Sequence, residues 1–311
     1  MTESTAATSY LVTGASGFIG RALCDHLLAT GATVHGVSRS AVDLDHTAYR
    51  HWRADLANAS EVDALFDEIR PRYVLHLASC VTGRRELEWI RETLAGNLVS
   101  TVNLLVAASR HQVEKCVLAG SLEEPPGDEP NPVPASPYAA SKWAASGYAR
   151  TFHALYGLRS AVARIFMVYG PGQLDLRKLV PYVCLSAAGG ETPKLMSGTR
   201  PVDWVYVQDV VEGLIRMLDG GPEDGGYVDL GTGILTTTGD VATRICELAE
   251  RRVEPELGAL SDRQMEQVRV ADVAATRRHL DWQPATSLDE GLRQTYEFYR
   301  RSREDGGLKP D

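Results

Sequence analysis

Three glycines, at positions 14, 17 and 20, lie between an apolar run and a helical pattern near the start of the chain. The run Tyr10–Thr13 predicts a buried strand, and apolar residues at three-to-four spacing predict a helix over Phe18–Ala29. The first glycine permits a tight turn, the second lets backbone approach a pyrophosphate, and the third lets the helix lie close to the strand. The N-terminus of such a helix favours negative charge. This strand, loop and helix together predict dinucleotide binding.

The same alternation continues through the first half of the chain. Apolar runs predict further strands at 34–37, 73–77, 116–119 and 159–166, and helical patterns cover 62–69, 88–109 and 138–155. Strands separated by helices of this length indicate a parallel sheet with right-handed crossovers, covered on both faces. We therefore predict an α/β fold whose main part is a Rossmann-type doubly wound parallel sheet.

The regular alternation ends near Gly170-Pro171-Gly172. Beyond it, helical stretches at 179–188, 207–218, 241–251 and 288–299 accompany short strand candidates at 203–205 and 226–230. We predict a dinucleotide-binding domain over residues 1–168, to which segments near 201–231 return. Residues 169–311 are expected to form mainly a smaller C-terminal α/β lobe that binds substrate.

Composition excludes several classes of partner. With 32 Lys+Arg against 41 Asp+Glu, the net charge of −9 argues against nucleic acid, which is bound through basic clusters. No apolar stretch approaches the roughly 18 residues that a membrane span needs, and residues 1–8 lack the features of a signal peptide. The five scattered cysteines and eight scattered histidines show no metal-ligand spacing, so we predict no metal and a cytoplasmic protein with reduced thiols.

The end of the second predicted strand bears on the choice of cofactor. A carboxylate there would accept hydrogen bonds from the adenine ribose, whereas this chain has Ser38 and Arg39. A guanidinium attracts a 2′-phosphate, which favours NADP(H) over NAD, although Arg39 could also be a solvated loop residue. Asp55 and Leu56, after the next apolar segment, are expected to lie against the adenine.

The heptapeptide Ser136-Pro137-Tyr138-Ala139-Ala140-Ser141-Lys142 predicts a catalytic helix. Ser136 and Pro137 are suited to the N-cap and first helical positions, which puts Tyr138 and Lys142 on one helix face. A cation beside a phenol lowers the pKa of the phenol and produces a usable acid/base, although the same spacing can belong to a solvated helix face. Ser121 is placed at the carboxyl end of a predicted strand, where parallel sheets present functional groups.

These motifs, together with His76-Leu77-Ala78-Ser79 and Asn97, resemble the extended short-chain dehydrogenase/reductase family, especially its enzymes for nucleotide-activated sugars. The resemblance continues through 164–172, 203–210 and 280–292. It implies that Tyr138 exchanges a proton with the sugar oxygen, that Lys142 also holds the nicotinamide ribose, and that Ser121 hydrogen-bonds the reacting oxygen. It also implies a homodimer built on the helices at 88–109 and 138–155.

The predicted cofactor site comprises Gly14, Ser16, Gly17, Phe18, Ile19, Gly20, Ser38, Arg39, Asp55, Leu56, Leu77, Ala78, Ser79, Tyr138 and Lys142. For the substrate, the resemblance places Arg269 where the family meets the sugar-nucleotide diphosphate. Two departures stand beside it: Met167 replaces an asparagine that helps to bind this diphosphate, and the arginine expected at Val202 is displaced to Arg200.

Two reactions remain open, and a non-catalytic role is a remote third. Arg39 favours NADPH-dependent reduction of a keto group on a nucleotide-linked deoxysugar. The alternative is an NAD-dependent nucleotide-sugar epimerase or 4,6-dehydratase, and Glu123 supports it because a Ser-x-Glu arrangement resembles the one in some dehydratases. Glu123 and Glu124 could equally be loop carboxylates that point into water. A dinucleotide-binding sensor without activity is the remote reading, because Ser121, Tyr138 and Lys142 are all present.

Overall fold

The structure is a computed structural model that describes residues 8–41, 44–125, 131–251, 253–261 and 267–306. It divides into two compact units. The first comprises the chain up to Ile165 together with Val211–Val228 and Arg278–Asp281, and the second comprises Phe166–Val210, Asp229–Arg277 and the chain from Trp282 onward.

Ten strands and ten α-helices are present in the described ranges. The strands are β1 (Ser9–Thr13), β2 (Thr33–Val37), β3 (Tyr49–Trp52), β4 (Tyr73–His76), β5 (Lys115–Ser121), β6 (Ser160–Ile165), β7 (Met167–Tyr169), β8 (Pro201–Tyr206), β9 (Asp224–Leu230) and β10 (Leu235–Thr237). The helices are α1 (Phe18–Ala29), α2 (Ala59–Ile69), α3 (Glu88–Thr93), α4 (Ser100–Arg110), α5 (Pro137–Tyr156), α6 (Leu179–Ala188), α7 (Val207–Asp219), α8 (Thr238–Glu247), α9 (Val273–Leu280) and α10 (Leu288–Glu304), and a π-helix (Leu94–Val99) joins α3 to α4.

The large sheet has seven strands in the order β3-β2-β1-β4-β5-β6-β9. From β3 to β6 the pairing is parallel, with β1 between β2 and β4. The chain thus builds outward from β1 in both directions, and the carboxyl ends of β1 and β4 lie at the point where the strand order reverses. Ligands of open α/β sheets bind at this point. The predicted Rossmann-type fold class is confirmed.

Burial of apolar side chains explains the first unit. Leu11 and Val12 of β1 are almost completely buried, and α1 covers the sheet with Leu23 and Leu27 at helical spacing. Helix α2 begins where the Asn58 side chain accepts a hydrogen bond from the Ser60 amide at 3.1 Å. The apolar faces of these helices and strands form the continuous core of the unit.

Helix α5 begins and ends where local sequence dictates. The Ser136 hydroxyl accepts a hydrogen bond from the Ala139 amide at 3.1 Å, and Pro137 takes the first helical position. Gly157 ends the helix with a left-handed φ of 69°. Tyr138 and Lys142 both lie on the buried face of the helix, as their spacing predicts.

The second unit contains a three-stranded sheet in the order β10-β8-β7 and its own apolar core. Its loops are held by a buried carboxylate. Asp203 of β8 accepts hydrogen bonds from the backbone amides of Thr232, Gly233 and Ala271 at 2.7, 2.9 and 3.0 Å. A buried carboxylate that receives several N–H donors fixes the segments that carry them.

Several elements differ from the sequence prediction. Strands β3, β7 and β10 and helix α9 are not predicted. β3 and β10 lack an apolar run, β7 is apolar but only three residues long, and α9 shows no clear periodicity. The helical pattern over 88–109 is interrupted by the π-helix, since apolar spacing alone does not reveal a locally widened turn.

All five cysteines are free thiols. Over the residues described above, no three His, Cys, Asp or Glu side chains are grouped closely enough to hold a metal ion. A membrane-spanning helix is also not found in that part of the chain, because none is sufficiently long and apolar.

Candidate active site

The glycine loop between β1 and α1 is packed directly against the segment that leaves β4. Gly14 has a φ of 70°, and a Cβ there would lie 2.7 Å from the backbone nitrogen of Ala78. A Cβ at Gly20 would collide with the carbonyl oxygen of Gly14, to which Gly17 donates its N–H at 2.9 Å. Backbone packing therefore requires the absence of a side chain at Gly14 and Gly20.

The N-terminus of α1 fits a phosphate group. Gly17 is the N-cap and supplies no side-chain cap, and the fully described first turn contains no acidic residue. The first N–H groups of a helix have no acceptor within the helix, so this turn offers donors and positive potential to an anion. Ser16, Phe18 and Ile19 are half-buried around the same turn.

The residues after β2 present a guanidinium rather than a carboxylate. The Ser38 hydroxyl donates to the Ser40 carbonyl at 2.6 Å and lies 2.9 Å from Nε2 of His51, so it is already used within the protein. Arg39 is exposed. No carboxylate occurs in the described stretch 37–41.

Asp55 and Leu56 have different environments. Asp55 is exposed and accepts the Ala57 amide at 3.0 Å, whereas Leu56 is buried in the core of the first unit. The carbonyl of Leu56 is fixed by the side chain of Asn103 at 3.0 Å.

His76, at the end of β4, is buried and hydrogen-bonded on both sides of its ring. Its Nδ1 accepts the Thr13 hydroxyl at 2.7 Å, and Thr13 in turn accepts the Ala78 amide at 3.1 Å. On the other side, the Thr101 hydroxyl donates to the Asn97 carbonyl, so it must accept the proton of His76 Nε2, 3.0 Å away. The imidazole is therefore neutral, and burial lowers the pKa of His76 to about 3.

Asn97, on the π-helix, joins the segment that follows β4 to helix α5. Its Oδ1 accepts hydrogen bonds from the Ser79 hydroxyl at 2.9 Å and the Cys80 amide at 2.6 Å. Its Nδ2 donates to the Ser141 hydroxyl at 2.9 Å, and Ser141 donates to the Tyr138 carbonyl. The family resemblance includes Asn97, but its role in joining these two segments is seen only in the structure. The half-buried Leu77, Ala78 and Ser79 are thereby fixed beside the glycine loop.

Ser121, Tyr138 and Lys142 come together at the carboxyl end of β5. Tyr138 is 8% exposed and shares a side-chain hydrogen bond with Ser121. The Lys142 ammonium lies 6.0 Å from the centre of the Tyr138 ring and donates to the Ala119 carbonyl at 2.9 Å. The predicted catalytic residues therefore form one buried cluster.

The expected lowering of the Tyr138 pKa by Lys142 is not found. Burial raises the pKa of Tyr138, and the nearby carboxylates of Glu123 and Glu124 act in the same direction. Only the hydrogen bond with Ser121 opposes them. The prediction that Lys142 lowers this pKa toward neutrality is wrong here, because burial destabilises the phenolate and the ammonium is directed to a backbone carbonyl.

The two neighbouring glutamates differ. Glu123 is half-buried. Its amide donates to the Ser121 hydroxyl at 3.2 Å, and its carboxylate lies 3.5 Å from the Ser136 hydroxyl. Glu124 is buried, and its carboxylate accepts hydrogen bonds from the Ser121 amide and the Ser146 hydroxyl. The reading that both carboxylates point into water is therefore wrong for Glu124. The sequence gives no signal for this inward orientation.

The predicted substrate residues all lie in the second unit. Met167 is paired with Trp204 in the register of β7 and β8, and Arg200 immediately precedes β8. Arg269 lies two residues before Ala271, whose amide is held by Asp203. All three side chains are half-buried.

A family model now identifies the class to which this fold and cluster belong. The model described as the NAD dependent epimerase/dehydratase family matches residues 10–229. The chain belongs to this family and is an enzyme of the extended short-chain dehydrogenase/reductase type.

Two curated relatives extend over nearly the whole chain. The UDP-glucose 4-epimerase of Mycolicibacterium smegmatis is 34% identical over 314 residues, covering 93% of this chain and 98% of that relative. The dTDP-glucose 4,6-dehydratase of Neisseria gonorrhoeae is 30% identical over 329 residues, covering 93% and 94%.

Two solved structures are also similar. The UDP-glucose 4-epimerase of Thermotoga maritima with UDP-glucose gives a TM-score of 0.87 at 25% identity, covering 95% of this chain and all of that one. The UDP-glucose 4-epimerase of Thermus thermophilus in complex with NAD gives 0.80 at 29% identity, covering 94% and 99%.

These comparisons confirm the predicted family and enzyme class. They favour the NAD-dependent epimerase or dehydratase alternative over the ketoreductase that Arg39 suggests. They give no support to a preference for NADP.

Proposed function

We propose that the chain is an NAD-dependent epimerase that inverts the C4 hydroxyl of a nucleotide-activated sugar. The observation that carries this proposal is the buried cluster of Ser121, Tyr138 and Lys142 in the same unit as the glycine loop. Two similar proteins named UDP-glucose 4-epimerase support the reaction class.

The glycine loop supports NAD as the resident cofactor. Gly14 packs against the backbone of Ala78 without a side chain between them. The first turn of α1 has no side-chain cap, so its N–H groups can accommodate a pyrophosphate. NAD supplies, when bound, a reversible acceptor for the hydride on C4 of the sugar.

Oxidation at C4 also requires a base for the hydroxyl proton. Tyr138 takes that proton as phenolate and returns it later, while Ser121 holds the reacting oxygen by a hydrogen bond. Burial raises the pKa of Tyr138, so formation of the phenolate depends on positive charge nearby. We assign this charge to the Lys142 ammonium, whose nitrogen lies 6.0 Å from the centre of the Tyr138 ring. Hydride returned to the opposite face of C4, with the proton of Tyr138 returned to the C4 oxygen, would give the epimer, and the overall reaction would be redox-neutral.

The second unit supplies residues suited to a sugar-nucleotide diphosphate. Guanidinium groups bind phosphate oxygens in fixed, bidentate geometry, and we assign this role to Arg200 and Arg269. Met167 offers no hydrogen bond to a diphosphate, so the two arginines carry its recognition.

A nucleotide-sugar 4,6-dehydratase is the second candidate, and Glu123 favours it. Loss of water across C5 and C6 of a 4-keto sugar needs a base for the C5 proton. The half-buried Glu123 carboxylate, whose amide lies beside the Ser121 hydroxyl, is available for that step. The dehydratase relative supports this reading.

One experiment separates the two reactions. The protein is incubated with NAD and either UDP-glucose or dTDP-glucose in D₂O, and the products are followed by proton NMR. An epimerase gives the galactose isomer without deuterium in carbon-bound positions, whereas a dehydratase gives a 4-keto-6-deoxy sugar with deuterium at C5. NADPH consumption on a 4-keto sugar, without either product, would overturn both candidates in favour of a ketoreductase.

We further propose that the enzyme is a homodimer. Ile90, Leu94, Trp143 and Tyr148 leave large apolar side chains exposed on α3, the π-helix and α5. Apolar side chains grouped on packed neighbouring helices mark protein interfaces, and a second copy of the chain presents the same face.

A further inference from the structure

Glu124 connects the strand that carries Ser121 to the helix that carries Tyr138 and Lys142. Its Oε1 accepts the Ser121 amide at 2.8 Å, and its own amide donates to the Ser121 carbonyl at 3.1 Å. Its Oε2 accepts the Ser146 hydroxyl at 2.7 Å. Ser146 lies one helical turn beyond Lys142 on α5, so one carboxylate fixes both sides of the cluster.

The space for this carboxylate exists because residue 120 is glycine. A Cβ at Gly120 would lie 2.7 Å from Oε1 of Glu124 and 2.6 Å from Cγ1 of Val162. A side chain at position 120 would therefore push the carboxylate away from the Ser121 amide. The backbone of β5 is shaped to receive it.

Lys142, the cation of the cluster, is buried together with the Glu124 carboxylate. Lys142 is 5% exposed, and its ammonium donates to the neutral backbone carbonyl of Ala119 at 2.9 Å. Burial lowers the pKa of Lys142 to about 8, and the Glu124 charge opposes this shift. Burial thus favours the neutral amine, whereas the carboxylate favours the ammonium.

We propose that Glu124 is a positioning residue for the active site: it fixes Ser121 against α5 and places a buried negative charge beside the helical turn that follows Lys142. The geometry of the cluster carries this inference. The kinetic consequence of this role rests on the proposed function, but the effect of Glu124 on Lys142 does not.

Four other titratable groups near the cluster have different partners or effects. His76 of β4 is neutral, and Glu123 and Cys80 affect Tyr138 rather than Lys142. Arg164 of β6 stacks its guanidinium 3.7 Å from the centre of the Tyr227 ring. Glu124 is therefore the charge whose removal acts on Lys142 most directly.

The direct test is titration of Lys142 by NMR in the full chain labelled with ¹³C at the lysine ε carbons. The chain has only five lysines, and Lys142→Arg assigns the resonance. Wild type is expected to titrate at about 8, and Glu124→Gln about one pH unit lower. The glutamine oxygen can accept the Ser121 amide and its NH2 group can donate to the Ser146 hydroxyl, so both contacts remain while the charge is removed. Glu123→Gln is the matched control and leaves the Lys142 titration unchanged. An unchanged titration in Glu124→Gln overturns the proposal.

Kinetics provide the second readout. Glu124 raises the pKa of both Tyr138 and Lys142, so Glu124→Gln moves both limbs of the pH profile of kcat/KM toward lower pH. A residue that acted only as structural support would lower kcat/KM at every pH without moving the profile. That result would overturn the proposed effect of the Glu124 charge on Lys142. Ser146→Ala keeps the charge, so it is expected to lower kcat while the profile stays in place. If the chain converts no nucleotide sugar, the NMR titration still decides the inference.

Discussion

The hydroxyl of Thr13 donates a hydrogen bond of 2.7 Å to Nδ1 of His76, a residue 63 positions later in the chain. This bond joins the last residue before the glycine loop to the end of β4. Because the other nitrogen of His76 donates to Thr101, the imidazole is held as one neutral tautomer. Protonation would remove the Nδ1 lone pair that accepts this bond and leave a buried charge.

His76 should make the stability of the protein depend on pH. Its pKa is about 3 in the folded protein and near 6.5 in the unfolded chain, so the unfolded state alone binds a proton between these values. Stability from this group is complete above pH 6.5 and falls as the pH drops toward 3, by about 1.4 kcal/mol per pH unit. Between pH 7 and pH 5, His76→Gln should lose about 2 kcal/mol less than wild type, measured by urea unfolding. His46→Gln, at an exposed site, is the control, and equal losses in His76→Gln and wild type would contradict the assignment.

Tyr138→Phe should abolish most of the activity and keep the cofactor. Loss of an acid/base group lowers kcat by about 10²- to 10⁴-fold, whereas the glycine loop and α1 are untouched. Turnover and bound dinucleotide are measured on the same preparation. Tyr156→Phe, on an exposed part of the same helix, is expected to behave as wild type. Normal turnover in Tyr138→Phe would remove Tyr138 from the mechanism.

Much of the first unit follows from local sequence. The glycine loop separates β1, which ends at Thr13, from α1, which begins at Phe18. Ser136, Pro137 and Gly157 set the bounds of α5. Each signal acts within a few residues of the structure it determines, so it can be read without tertiary information. The spacing of Tyr138 and Lys142 then follows from helix geometry.

The features that sequence missed depend on distant partners. The orientation of Glu124 requires the space at Gly120 and the hydroxyl of Ser146, which is 22 residues away. Burial of Tyr138, which reverses the expected direction of its pKa shift, is likewise set by the surrounding fold. Strand β3 is polar and lies at the sheet edge, so it lacks the apolar run of a central strand.

Gly14→Ala should prevent cofactor binding, and Gly31→Ala should not. Both glycines have positive φ, 70° and 80°, so both substitutions introduce backbone strain of about 1–2 kcal/mol. Only at Gly14 would the new Cβ collide with backbone, that of Ala78, since nothing lies within 4 Å of a Cβ at Gly31. NAD affinity is measured by calorimetry beside thermal stability. Equal loss of affinity in both variants would show that strain alone, rather than contact with the loop, controls binding.

Arg39 provides the test of cofactor choice. We expect NAD to bind more tightly than NADP and to remain bound through turnover, as a redox-neutral reaction requires. Arg39→Ala should weaken NADP binding by about tenfold, because a charge-assisted bond to the 2′-phosphate is lost, and leave NAD binding unchanged. The measurements are the dinucleotide released on denaturation and titrations with both cofactors. Release of NADP, with no turnover on NAD, would restore the ketoreductase reading.

The exposed apolar face should control the oligomeric state. Light scattering after gel filtration is expected to give twice the mass of the chain. The double variant Leu94→Glu/Trp143→Glu places four new like charges across an interface between two copies, because each copy contributes two of them, and the dimer should dissociate. Leu174→Glu alters a more exposed leucine in the second unit and should leave the dimer intact. A monomeric wild type, or a double variant that remains dimeric, would show that two copies do not meet through this face.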